Sequence, residues 1–445
     1  MITISKDKVR VHMKKLGIST QKELAEKMQM TKNQLSMLLS PNFNPIKSNA
    51  VKLCETLSVD IEEIMESEQI ELELEEGITD ETENEAAFIL NDKGEQDFIE
   101  VRDVRPERQY NCVELFAGAG GLALGLEKAG FHSNGLVEID KFACKTLRKN
   151  KPNWNVLEKD IVEVAELGIR NFIDSSVGEI DLLSGGYPCQ AFSYAGKKMG
   201  LNDARGTMFY YYGKILEDLK PKMFLAENVR GLVNHDNGKT LSTMLSVFEE
   251  IGYEVRWKVL RALDYDVAQK RERIVIVGIR KDLVEKNNVT YKFPKPYGYE
   301  LTLRDILQNV PKSDGAKYPD SKKKVLELVP PGGYWRDLAD DLAREYMGKS
   351  YYSGGGRTGM ARRLSWDEPS LTLTCSPAQK QTERCHPDET RPFTVREYAR
   401  IQSFPDEWEF VGSTAYAYKQ IGNAVPVNMG KAVGLSIVNV LNQLN

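Results

Sequence analysis

The 445 residues contain six cysteines, Cys54, Cys112, Cys144, Cys189, Cys375 and Cys385, and no two of them form a Cys-x-x-Cys pair. That scatter excludes a disulfide framework and a cysteine zinc site. The four histidines, His12, His132, His235 and His386, are equally dispersed, so no histidine metal site is expected. No apolar run approaches the length needed to cross a bilayer, and the polar opening MITISKDKVR is not a signal peptide. These absences point to a reduced, cytoplasmic protein with no membrane partner.

A net positive balance is also lacking, since 60 Lys and Arg against 65 Asp and Glu give a formal net charge of −5. The deficit is local. Between Glu66 and Glu100 fourteen Asp and Glu face one base, Lys93, which is about −13 and leaves about +8 on the rest of the chain. That remainder is compatible with a basic, DNA-facing cleft, and equally with dispersed surface charge. The apolar fraction of 41% and charged fraction of 28% are those of a soluble globular protein long enough for two or three domains.

Composition divides the chain. Residues 1–65 have a helical pattern, residues 66–108 form an acidic, aromatic-poor linker, and from Asn111 apolar runs alternate with helical patterns as in a parallel α/β domain. In the first region TQKELAEKM places Leu24, Ala25 and Met28 at helical spacing. After a short break TKNQLSMLLS opens on Thr31 as a cap and puts Leu35, Leu38 and Leu39 on one face. Two short helices across a tight turn resemble the phage-repressor-like helix-turn-helix family. The resemblance implies that Lys32, Asn33, Gln34 and Ser36 face a major groove. The alternative is a small helical bundle for dimerisation.

NCVELFAGAGGLALGLEKAGF (Asn111–Phe131) reads strand, glycine-rich turn, helix, and Gly118, Gly120 and Gly121 let the backbone approach a ligand. About twenty residues on, VEID ends a strand with Glu138, placed to accept from ribose hydroxyls, and a third strand-like run ends at Asp160. Gly118-x-Gly120-x-x-Ala123 also satisfies a loose dinucleotide fingerprint, so a nicotinamide enzyme stays open at this point. IDLLSGGYPCQAFSYAG runs a buried strand into a Gly-Gly-Tyr-Pro-Cys-Gln turn, which places Cys189 at a strand's carboxyl end. A thiolate there is a plausible nucleophile, and a small buried core residue is the alternative. MFLAENVRGL ends a strand with Glu227 and Asn228, and a carboxyl group so placed can serve as a general acid. QKRERIVIVGIR sets Arg271 and Arg273 before an Ile/Val strand. Their spacing of two directs both to one face, suited to phosphate contact or to a solvated strand entrance.

FAGAGG, PCQ, ENV, QKRER, REYARIQSFP and QIGNAVP occur in one order over about Asn111 to Asn445. In that order they resemble the DNA cytosine-5 methyltransferases of bacterial restriction-modification systems. The resemblance implies an α/β, Rossmann-like S-adenosylmethionine-dependent methyltransferase domain, with its catalytic and cofactor part at 109–293, an irregular target-recognition region at 294–392 and a returning part at 393–445. By resemblance Cys189 adds to C6 of cytosine, Glu227 acts at N3, Asn228 helps hold both, and Arg271 and Arg273 meet the flipped nucleotide and its backbone. S-adenosyl-L-methionine would contact Phe116, Gly118, Ala119, Gly120, Gly121, Glu138, Ile139, Asp160, Ile161 and Pro188, with Asn423 and Val425 completing the pocket from the chain's end.

Because C6 is shielded in a stacked duplex, the base must flip out, at a cost on the order of a few kcal/mol. The segment AFSYAGKKMGLNDARGT after the nucleophile would close over it, with Gln190 and Ser193 near the DNA, unless it is an ordinary surface loop. Arg357, Arg362, Arg363, Lys380 and Arg384 are candidate groove or phosphate contacts. Double-stranded DNA is the expected partner. A restriction endonuclease, the gene's own promoter and a second copy joined through residues 1–65 are further expected partners. Two rivals remain: an RNA cytosine-5 methyltransferase, whose branch carries Cys-Phe-Thr where this chain has Thr374-Cys375-Ser376, and a DNA-binding transcriptional repressor.

Overall fold

The computed structural model describes residues 97–188, 207–352 and 359–444, with residues 9, 12, 13, 18, 20–28 and 35 nearer the start. The chain divides into two compact units, Met1–Asp92 and Lys93–Asn445. In the first, helix α1 (Gln21–Lys27) begins where Thr20 Oγ1 accepts from the Glu23 amide at 3.2 Å. Leu24, Ala25, Met28 and Leu35 are buried, as their helical spacing requires. Of the second expected helix only Leu35 falls within the described residues.

The second unit is built on a seven-stranded sheet. Its strands are β1 (Tyr110–Leu115), β2 (Phe131–Glu138), β3 (Val156–Glu158), β4 (Leu182–Gly185), β5 (Met223–Val229), β6 (Tyr253–Arg261) and β7 (Glu272–Arg280). Their order is β3-β2-β1-β4-β5-β7-β6, with β7 antiparallel to both neighbours and the other pairings parallel. The expected parallel α/β sheet is therefore mixed at one edge.

Successive strand residues enter opposite layers. Cys112, Leu182, Leu225, Val275 and Val277 pack under helices α2 (Gly121–Ala129) and α9 (Val427–Leu441). Val113, Leu183, Phe224, Ala226 and Ile276 pack under α4 (Ile161–Leu167), α5 (Met208–Leu219) and α6 (Lys239–Ile251). Short polar side chains start several helices by accepting orphan amides. Asp140 caps α3 (Lys141–Asn150), Asp160 caps α4, Thr207 caps α5, and Thr394 with Glu397 forms a capping box on α7 (Val395–Ile401). Helix α8 (Thr414–Asn423) precedes α9.

Two expectations change. Residues 66–108 do not all behave as linker, because Phe98–Ile99 pairs in parallel with Phe293–Pro294, Val101 is buried, and Asp97 faces Arg256 at 3.4 Å. The catalytic unit therefore takes in the chain from before Asp97. Also, Thr414–Leu444 is long and apolar enough to cross a membrane by composition, but 78% of its apolar window is buried inside the unit, as for a core helix.

The unit also buries a carboxyl group. Glu114 on β1 is enclosed, and burial pushes its pKa up to about 8 from 4.5 against hydrogen bonds from Ser184 and the Ala123 amide. The folded chain holds that proton where the unfolded chain has lost it, so stability falls as pH rises from about 4.5 to about 8. Glu114→Gln should flatten that decline in thermal melts taken across the interval, and an unchanged slope would assign the decline to other groups.

Candidate active site

Strand ends gather the chemistry at one edge of the sheet. After β1 the chain turns through Phe116 (φ 57), Gly118 (φ 54) and Gly120 (φ 85), all left-handed, before entering α2. At Gly121 and Gly125, in α2, absence of a side chain is a packing requirement. A Cβ on Gly121 would lie 2.2 Å from the Val425 carbonyl oxygen, and one on Gly125 would lie 2.5 Å from that of Val427. The returning segment therefore rests on the glycine turn. At Gly118, by contrast, a Cβ would meet nothing within 4 Å, so open space faces the turn.

Glu138 ends β2 and ties this turn in place. Its Oε2 accepts from the Gly118 amide and its Oε1 from the Asp140 amide, each at 2.7 Å. Ile139 stands 66% exposed beside it, an apolar surface available to a flat ring. Asp160 is exposed and Val162 donates its amide to Oδ1. Ala119 and Ile161 are buried, so any approach to them is through the main chain. Pro188 and Asn423 are exposed, and Val425 is half-buried. The open space at Gly118, the anchored carboxylate and the apolar shelf fit S-adenosylmethionine.

Cys189, Gln190 and Ser193 lie outside the described residues, but the turn leading to Cys189 is well defined up to Pro188. Tyr187 is buried against Phe209 and Tyr212, and its carbonyl accepts from Asn228 Nδ2 at 2.9 Å. Asn228 thus pins the turn two residues before Cys189. Glu227 lies over the same turn, since a Cβ on Gly186 would come within 2.6 Å of its Oε2. Its Oε1 pairs with Arg273 Nε at 2.6 Å, both side chains being 12% exposed. Register explains the pair: β7 runs back along β5, setting Arg273 opposite Val229 and Val275 opposite Glu227. Beside it opens a cleft of about 610 Å³ whose lining includes Arg230, Arg261, Lys270, Arg271, Arg273 and Thr372.

Arg271 contributes to the wall of this cleft, but its hydrogen bonds turn inward. It is 1% exposed and donates to the carbonyls of Leu373 (3.3 Å), Gly422 and Ala424 (3.1 Å each). Burial lowers its pKa to about 9, which leaves it charged at neutral pH. It lies outside β7, in the link from Gln269–Lys270, so strand alternation does not pair it with Arg273.

Two candidate DNA contacts are corrected likewise. Arg363 is buried and donates to the carbonyls of Leu326, Val329, His386 and Pro387, which clamps the small core of residues 294–392. Arg384 is buried against the carbonyls of Thr372 and Glu383. A guanidinium carries five donors, and both spend them inside the fold. Arg362 stacks over Tyr334 at 5.9 Å and Lys380 is exposed over Tyr346 at 4.8 Å. Arg357, Lys32, Asn33, Gln34 and Ser36 lie outside the described residues. Sequence reasoning missed Tyr187, Gln269 and Gln402 as anchors. Their signal was polarity or bulk inside the motifs themselves.

The profile of the C-5 cytosine-specific DNA methylases matches residues 110–439. The chain belongs to that family. A Cro/C1-type helix-turn-helix DNA-binding profile matches residues 8–69. Type II methyltransferase M.Sau96I of Staphylococcus aureus is 56% identical over 442 residues, covering 99% of this chain and 100% of that one. Type II methyltransferase M.Eco47II of Escherichia coli is 58% identical over 344 residues, 76% of this chain and 80% of that one. Among solved structures, a prophage-encoded Escherichia coli protein described as a DNA modification methyltransferase aligns at TM-score 0.55 with 24% identity, over 75% of this chain and 100% of that one. A Spodoptera frugiperda DNMT2 variant aligns at 0.52 with 17% identity, over 76% and 99%. These two likenesses show the fold. This methylase is an enzyme that uses S-adenosylmethionine.

Gly121→Ala tests the close approach. Forcing a methyl against the Val425 carbonyl should destabilise by about 1–3 kcal/mol and weaken S-adenosylhomocysteine binding, read by melting and calorimetry. Wild-type affinity in that variant would remove the constraint.

Proposed function

We propose that this cytoplasmic methylase modifies C5 of cytosine within one short duplex sequence, protecting host DNA beside a restriction endonuclease. The observation that carries the catalytic assignment is Glu227, held by Arg273 and laid over Gly186, three residues before Cys189. Cytosine C5 is a poor nucleophile until its ring is broken. Cys189, as thiolate, forms a bond to C6 of the flipped base, and the ring's electron pair moves to C5. Glu227 supplies a proton or hydrogen bond at N3 as charge collects there, and Arg273 keeps the carboxyl group aimed. Asn228 holds the Tyr187 carbonyl, and so the height of the turn that carries the thiol. S-adenosylmethionine bound beside Gly118–Gly121, Glu138 and Asp160 supplies the methyl group that the electron-rich C5 takes. Loss of the C5 proton then returns the electron pair and releases Cys189.

With Arg271, Arg363 and Arg384 engaged inside the fold, Arg362, Lys380 and Arg357 are the favoured DNA contacts within residues 294–392. Incubation with duplex DNA and labelled S-adenosylmethionine, then bisulfite sequencing, should find protected cytosines in one motif. Cys189→Ser should reduce transfer on the order of a thousandfold or more while cofactor still binds. Label in transfer RNA alone would establish the RNA reading, and robust transfer by Cys189→Ser would move the nucleophile.

The N-terminal helix-turn-helix supports a second activity. It binds the operator of its own gene, as a dimer on paired half-sites, and so limits enzyme dosage. Deleting residues 1–65 should abolish promoter occupancy and raise expression while leaving methylation of plasmid DNA intact. Unchanged occupancy would defeat this reading.

A further inference from the structure

Three stretches far apart in sequence meet in a buried polar knot. Gln269, Arg271 and Gln402 are each 0–1% exposed. Gln269 Nε2 donates to Gln402 Oε1 at 2.8 Å, and its own Oε1 accepts from the Leu373 amide at 2.9 Å. Gln402 Nε2 donates to the carbonyls of Ile421 (2.8 Å) and Ala424 (3.0 Å). Arg271 binds the Leu373 carbonyl with one nitrogen and those of Gly422 and Ala424 with another.

Arg271 alone bonds to both of two segments, while Gln269 holds one, Gln402 holds the other, and the bond between the two glutamines joins them. One segment, Thr372–Cys375, belongs to the recognition region. The other, Ile421–Val425, leads into the Val425 carbonyl that rests on Gly121. The two segments also touch directly: a Cβ on Gly422 would meet the Thr374 carbonyl at 2.5 Å, and Cys375 Sγ lies 3.0 Å from Asn423 Oδ1. Arg273, which holds Glu227, is two residues from Arg271 along the chain.

The Arg271 guanidinium hydrogen-bonds only to carbonyls, through its two terminal nitrogens, and it loses those partners if either segment slides. Such a knot is stable in one relative placement of the two segments. Ligands that favour the same placement reinforce each other, and the effect is reciprocal.

We propose that Gln269, Arg271 and Gln402 are positioning residues that couple the cofactor pocket to the target-recognition region, so that cofactor and DNA each tighten the other's binding. The inference rests on the reading of Asn423 and Val425 as cofactor residues and of residues 294–392 as the DNA-reading region.

The test uses the full chain. In the wild type, S-adenosylhomocysteine added without DNA should slow hydrogen exchange at the Leu373 amide, which reports the Gln269 bond from outside the cofactor pocket. It should also tighten binding to a duplex bearing the target sequence by about tenfold. Arg271→Lys and Gln402→Leu, checked for folding by circular dichroism, should reduce that tightening to under threefold and shift KM for both substrates more than kcat. Unchanged Leu373 exchange in cofactor-bound wild type overturns the proposal even if neither variant folds. Folded variants that keep the tenfold coupling overturn it as well. Failure of S-adenosylhomocysteine to bind wild type would instead strike the underlying cofactor reading.

Discussion

The closure of the chain's end onto its first glycine turn is the contact on which the site depends. Helix α9 and the segment before it lie so near α2 that Gly121 and Gly125 face backbone carbonyls, and a Cβ on Gly434 would meet Ala129 at 2.7 Å. Small residues at these crossings let two backbones approach as side chains would not permit. The same approach buries Leu122, Leu126, Met429, Val433 and Ile437 in one layer. Glycine turn, core layer and chain closure are thus one construction, in which the two ends of the catalytic unit pack on each other.

Buried charge is allotted around that frame by function. Arg273 spends its charge on Glu227 in the cleft, and Arg271, two residues earlier, turns its terminal nitrogens to carbonyls that knit three segments. Arg363 does the same inside the recognition region. A guanidinium without water must find acceptors, and carbonyls at segment junctions are abundant ones. The arginines that sequence reading marks as ligand contacts are therefore of two kinds, distinguishable by whether a carboxylate or the main chain receives them.

Much of the fold was legible in local pattern. Alternation of apolar runs with helical stretches announced β1 through β5, and Asp140, Asp160 and Thr207 begin helices for the capping reason their side chains suggest. Glu227 and Asn228 fall at the end of β5, where the motif puts them. The antiparallel insertion of β7 between β5 and β6 was not legible, because a buried strand has the same composition whichever way it runs. Nor was the capture of Asp97–Val101 by the catalytic unit, since an acidic flank continues unbroken across that boundary in composition.

By itself the sequence determined the family: FAGAGG, PCQ, ENV, QKRER, REYARIQSFP and QIGNAVP in one order carry the resemblance to the cytosine-5 methyltransferases, and that resemblance implies methyl transfer from S-adenosylmethionine. It also offered a helix-turn-helix pattern ahead of the enzyme, with a small helical bundle as the alternative. Only the tertiary structure decided which charged groups face ligand and which face carbonyls, and which glycines are bound by packing. Those outcomes depend on what lies opposite in space, and the partners of Arg271, Gly121 and Arg363 come from stretches that no local pattern pairs with them.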